Sequence, residues 1–178
     1  MKTVDEILLN VEKPSRYIGG EFGEREIKEE KFNYCICFPD VYEVAMSNLG
    51  IRIVQEVINN VDGAMCDRCF APWHDFGSAL KENGIPLMSL NLKKPLKEFD
   101  MLGFSLQYEM SYTTILYMLD LAGIPLYAKD RGENYPIIQG GGPCAVNPEP
   151  LADFFDLFVI GDGEESMESL AKLKLSCQ

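Results

Sequence analysis

Two short apolar runs in the last third of the chain each stop on glycine. Ile137-Ile138 leads through Gln139 into Gly140, Gly141 and Gly142, and Leu157-Phe158-Val159-Ile160 leads into Gly161 and Gly163. Apolar runs of this length bounded by glycine read as buried parallel strands. Ligands of open α/β sheets sit outside the carboxyl ends of such strands. Glycine at that point brings backbone close to a ligand with no Cβ in between. The pattern therefore points to a sheet with a binding edge before it points to any catalyst.

The rest of the chain alternates strand and helix signals. Strands are expected at 32–38, 64–70, 86–90, 101–106, 126–128, 136–139 and 157–160. Helices are expected at 3–12, 43–60, 76–83 and 111–122, with a last one from Glu164 toward the C-terminus. Thr3 and Glu6 have capping-box spacing, and Met46, Leu49, Ile53, Val57 and Ile58 repeat with a helical period. This alternation predicts a Rossmann-like or flavodoxin-like α/β domain with a doubly wound, mainly parallel sheet. Residues 1–31 are expected to form an N-terminal helix and loop extension, and 32–178 the α/β domain.

With 178 residues, 47% of them hydrophobic, the chain can bury a core. Its formal charge of -12 argues against nucleic acid or an anionic membrane surface as a partner. No apolar run approaches the roughly 20 residues that span a bilayer, and the acidic N-terminus is not a signal peptide. A cytoplasmic location is expected. The six cysteines should then be free thiols. Cys66-Asp67-Arg68-Cys69 has no second pair to complete a zinc site. Cys35 and Cys37, two apart in a strand, share a sheet face and read as core.

Right-handed crossovers would gather four loops at one edge. They comprise Pro39, Asp40, Val41 and Tyr42; Ser105, Leu106, Gln107 and Tyr108; Gly140, Gly141, Gly142 and Pro143; and Gly161, Asp162, Gly163 and Glu164. These are the candidate cofactor-binding residues. A nucleotide phosphate would want glycines after the first strand. That loop instead carries Asp40 and Glu43 and would repel it. A flat corrinoid, with an apolar tail that can lie between strands and helices, suits the edge better.

Seven segments are matched in order and spacing: Arg16-Tyr17-Ile18-Gly19-Gly20-Glu21, Phe38-Pro39-Asp40-Val41-Tyr42-Glu43, Phe70-Ala71-Pro72-Trp73, Gly103-Phe104-Ser105-Leu106-Gln107-Tyr108-Glu109, Gly140-Gly141-Gly142-Pro143, Asn147-Pro148-Glu149-Pro150 and Gly161-Asp162-Gly163-Glu164-Glu165. Through them the chain resembles the N-terminal, cobalamin-binding-like domain of a group of radical S-adenosylmethionine (radical SAM) proteins. The resemblance implies a domain that binds cobalamin or scaffolds the active site and is not catalytic alone. A ligand-free docking domain of the same fold is the alternative. It also implies a C-terminal radical SAM domain as partner, which would hold the [4Fe–4S] cluster and S-adenosylmethionine. That catalytic barrel is expected to follow at about Gln178.

Two departures from the family pattern matter. In the Asp-x-His-x-x-Gly frame that supplies a cobalt ligand, Tyr42 stands for histidine and Ala45 for glycine. A phenol with a pKa of about 10 is a poor cobalt ligand at neutral pH. No Cys-x3-Cys-x2-Cys spacing occurs either, so a cluster is not expected on this chain. Plainer readings stand beside these. The glycines could be simple turns, the acids after Gly161 could only favour a helix start, and Tyr42 and Tyr108 could pack their rings. His74, the one histidine, reads as a surface or capping residue.

Overall fold

The computed structural model describes residues 2–177. Five parallel strands form one sheet in the order β2-β1-β3-β4-β5. They are β1 (Phe32–Phe38), β2 (Ala64–Phe70), β3 (Met101–Ser105), β4 (Ile137–Gly141) and β5 (Leu157–Val159). The helices are α1 (Val4–Leu8), α2 (Tyr42–Ala45), α3 (Leu49–Asn59), α4 (His74–Asn83), α5 (Tyr112–Leu121) and α6 (Gly163–Ser176). The expected α/β class and parallel sheet are present.

Alternation along each strand divides the core in two. Cys35 and Cys37 of β1 join Phe76 and Leu80 of α4, Ile115 and Leu119 of α5, and Ile7 of α1 on one face. Tyr34, Ile36 and Phe38 join Ile51 and Ile58 of α3 and Met167 and Ala171 of α6 on the other. Ile7 is 2% exposed, so the first helix is packed into the body of the domain. Its capping box is formed as expected: Thr3 accepts from the Glu6 N–H and Glu6 from the Thr3 N–H.

Four expected elements come out differently. The helix over 43–60 is broken at Met46–Asn48, because the Asn48 side chain caps α3 by accepting from the Ile51 N–H at 3.3 Å. The strand expected over 86–90 is only an isolated bridge between Met88 and Pro95. Prolines at 86 and 95 lack the N–H a ladder needs, and Leu90 alone donates to β2, through Arg68 O at 2.7 Å. Residues 126–128 are not a strand, and Ala128–Asp130 is a 3-10 turn. The helix expected over 3–12 stops at Leu8.

Candidate functional site

The carboxyl edge of the sheet has two halves. Over β1, β3 and β4, between the sheet and helices α3 and α6, lies an open cleft of about 370 Å³. This is within the usual range for small-molecule sites. Ile36, Gly103 and Gln139 floor it, and Ile51 and Val54 from α3 and Met167 from α6 wall it. The strand order turns back between β1 and β3, the switch point where such sheets bind ligands.

Half of the expected residues meet here. Ser105, Gln107, Gly141, Gly142, Pro143, Gly161, Gly163 and Glu164 line the cleft. Gln107 donates to Ser105 Oγ at 2.7 Å across its mouth. The glycines divide by role. A Cβ on Gly140 would come 2.8 Å from the Phe158 ring, so this glycine serves packing. Gly142 has φ +109° and lies against the Leu106 backbone, so it serves the turn. Gly141 faces the cleft. Leu106 is fully buried and ties two loops together, donating to Gly141 O at 2.7 Å and accepting from Cys144 N–H at 3.0 Å. Asp162 is exposed at the N-terminus of α6.

The loop after β1 does not line the cleft. Pro39 is buried, and Asp40 Oδ2 accepts from the Tyr108 hydroxyl at 3.2 Å. Tyr42 is turned to the other half of the edge, where its hydroxyl donates to Glu21 at 2.6 Å and its ring meets Phe70 edge-on. Burial and that hydrogen bond push its pKa up to about 12. His74 is exposed, its ring 5.5 Å from that of Trp73. Cys66 and Cys69 lie on opposite faces of β2, one in each core, as an offset of three in a strand requires. Burial pushes the Cys35 thiol up to about 12.

The Arg16–Glu21 segment, expected as a loop, forms a strap across β2. Arg16 pairs with Glu43 at 2.9 Å and sits over the Trp73 ring. Tyr17 stacks on Phe76 at 4.0 Å and accepts the Trp73 N–H at 3.0 Å. Lys93 donates to the carbonyls of Tyr17 and Ile18. Glu21 at 3.0 Å and Glu24 both pair with Arg68, whose side chain is 3% exposed. The charged groups of this half are thus tied to one another, although Arg16 Nη1, Glu24 Oε2 and Arg68 Nε are buried without a hydrogen-bond partner.

Three functional candidates escaped the sequence reading. Tyr34 is 1% exposed and donates to Gln139 Oε1 at 2.7 Å, and Gln139 is itself 3% exposed. Both lie against Gly103, where a Cβ would come 1.5 Å from the Tyr34 hydroxyl. The available signal was a glutamine inside a buried strand and a glycine inside another.

A ring of exposed apolar side chains surrounds the edge. It comprises Val44 and Leu49 after β1, Trp73 after β2, Met110 after β3, Val146 after β4 and Ile160 after β5. Met110 is 86% and Val146 72% exposed.

Fold and cleft thus define a doubly wound α/β domain with a ligand-sized opening at its switch point. The family described as radical SAM proteins, N-terminal, matches residues 50–178, and the chain belongs to it. It is also similar to an uncharacterised protein of Methanocaldococcus jannaschii, 36% identical over 137 residues that cover 75% of this chain and 24% of the relative. The chain therefore spans about a quarter of the length of the curated relative it matches. A crystal structure from Burkholderia pseudomallei, described as related to pilus assembly, aligns with a TM-score of 0.44 at 9% identity, covering 86% of this chain and 96% of that one. Among the described residues no helix is long and apolar enough to cross a membrane.

Proposed function

We propose that this domain holds a corrinoid at the carboxyl edge of its sheet, with the cofactor's tail in the cleft, and serves as an accessory domain to a radical SAM enzyme. The observation that carries the reading is the cleft itself: a mostly apolar slot between sheet and helices, opened by Gly103 below and Gly141 at its mouth, with the Gln139 amide inside. A flat tail fits such a slot better than a phosphate would, because no cationic side chain lines it. When bound, a corrinoid supplies a cobalt centre able to carry an alkyl group or an electron. Ile36, Ile51, Val54 and Met167 would exclude water from its tail, and Gly141 and Gly142 would let backbone approach it. Tyr42 would not ligate the cobalt, since its hydroxyl is engaged by Glu21 on the far side of the loop. In this reading the [4Fe–4S] cluster and S-adenosylmethionine belong to the companion domain.

The ring of exposed apolar residues favours a second role. Apolar side chains placed after all five strands suit an interface that another domain covers. This fits the companion radical SAM domain with or without a cofactor between the two.

Incubation of the chain with hydroxocobalamin followed by gel filtration tests the corrinoid reading. A coloured protein fraction with a base-off spectrum is expected. After one-electron reduction, its electron paramagnetic resonance spectrum should show no splitting from a protein nitrogen. A colourless protein at micromolar concentration and excess ligand would leave only the docking role.

A further inference from the structure

The floor of the cleft holds an amide whose donor end borders the open space. Gln139 is 3% exposed, and its Oε1 is committed to the Tyr34 hydroxyl at 2.7 Å. Its Nε2 lies 3.1 Å from where a Cβ on Gly141 would stand. The amide hydrogens therefore face the space that Gly141 leaves open. A ligand that covered this end without offering an acceptor would strand the amide hydrogens, which is unfavourable.

The surroundings make this arrangement rigid. Tyr34 is 1% exposed, and burial raises its pKa well above the ordinary value, so its phenol stays a donor. A donor at Oε1 fixes which end of the amide is left over. Gly103 is what admits the pair, since a side chain there would collide with both the tyrosine hydroxyl and Gln139 Oε1, at 1.5 and 2.9 Å from its Cβ. The walls of the cleft are aliphatic and thioether groups from Ile36, Ile51, Val54 and Met167, with Asn48, Ser105, Gln107 and Glu164 as its other side-chain polar groups.

We propose that Gln139, oriented by Tyr34, is the specificity-determining donor of the cleft and selects a flat ring carrying an unprotonated ring nitrogen or comparable acceptor at its buried edge. The inference rests on the reading of the cleft as the seat of a corrinoid tail. A tail base released from cobalt has such a lone pair free. A site with a buried donor rejects an otherwise similar ligand lacking the acceptor, because the donor is then stranded. Within the pair, Tyr34 acts as the positioning residue and Gln139 supplies the hydrogen bond to the ligand.

Calorimetry on the chain with four probes tests this: cobalamin, a cobamide with a phenolic base that has no ring nitrogen, cobinamide with no tail, and the dimethylbenzimidazole riboside alone. Wild type should bind cobalamin roughly tenfold or more tighter than the phenolic cobamide. In Gln139→Leu and in Gln139→Met that ratio should fall to near one, with cobinamide affinity unchanged and thermal unfolding still cooperative. Tyr34→Phe should reduce the ratio less, because the donor remains but is no longer held. If no corrinoid binds yet the riboside binds in a Gln139-dependent way, this inference stands and the corrinoid reading fails. Equal affinities in wild type, or a ratio that survives both Gln139 variants, overturn the inference. So does failure of corrinoids and riboside alike to bind.

Discussion

The two halves of the carboxyl edge share one topology and differ in what they do with polar groups. Beneath the strap over β2, Tyr42, Glu21, Glu24 and Arg68 are bound to one another in a charged cluster, with Glu24 Oε2 and Arg68 Nε left over. In the cleft, glycines replace side chains, and Gln139, held at its Oε1 by Tyr34, turns its Nε2 to the open space beside Gly141. The first arrangement crosslinks charged side chains, and the second leaves room and an accessible donor for something else. A conspicuous motif is thus not by itself a site. The Arg16–Glu21 strap is a clamp, and the less conspicuous Tyr34, Gly103 and Gln139 form the floor of the opening.

The largest test of the difference removes the clamp. Arg68→Met leaves Glu21 and Glu24 facing each other, only 20% and 14% exposed, without their cation. Breaking such a pair from one side should cost about 4 kcal/mol. Chemical denaturation should show that loss, while ligand affinity of the folded fraction stays within twofold (about 0.4 kcal/mol). A large change in affinity would join the two halves functionally.

Gly103→Ala strikes the other half. Its Cβ cannot coexist with the Tyr34 hydroxyl at 1.5 Å, and overpacking of this kind should cost about 3 kcal/mol. Here loss of stability and loss of cleft binding should come together, visible as a lowered melting temperature and an unsaturated titration.

Tyr42→Phe separates structure from ligation at a smaller scale. Losing the hydrogen bond to Glu21 should cost about 1 kcal/mol. The sign with pH follows from the phenol's raised pKa of about 12. Folding favours its protonated form, so its contribution is complete below about pH 10. It is lost as pH rises from there toward the folded value. The variant should therefore lose less stability than wild type over that alkaline window, and the spectrum of any bound corrinoid should not change.

The smallest expected effect is none. Cys66 and Cys69 face opposite cores, and Cys35 and Cys37 are fully buried. Anaerobic reconstitution with iron and sulfide should leave the chain without cluster absorbance. Stoichiometric iron would mean that the thiols regroup.

The parallel sheet and its burial followed closely from apolar runs ending in glycine, because parallel strands buried on both faces leave few other options. Ser105, Gln107 and Gly141 could be placed at the edge for the same reason. Tyr42 could not be oriented, because a loop residue's direction depends on a partner 21 residues away, Glu21. The break before α3 was hidden by continuous helical periodicity across Asn48, whose capping role depends on local geometry. Prolines at 86 and 95 were visible and argued against a strand over 86–90. The Tyr34–Gln139 pair spans 105 residues and exists only once β1, β3 and β4 lie side by side.

Nitrogen-15 NMR of the chain titrated with hydroxocobalamin tests the division of the edge most directly. Cleft binding predicts shifts at Gly103, at Gly141 and Gly163, and at the Gln139 side-chain amide. Glu21, Asp40 and Tyr42 should stay silent. Shifts centred on Asp40 and Tyr42 with an unmoved Gln139 amide would contradict it.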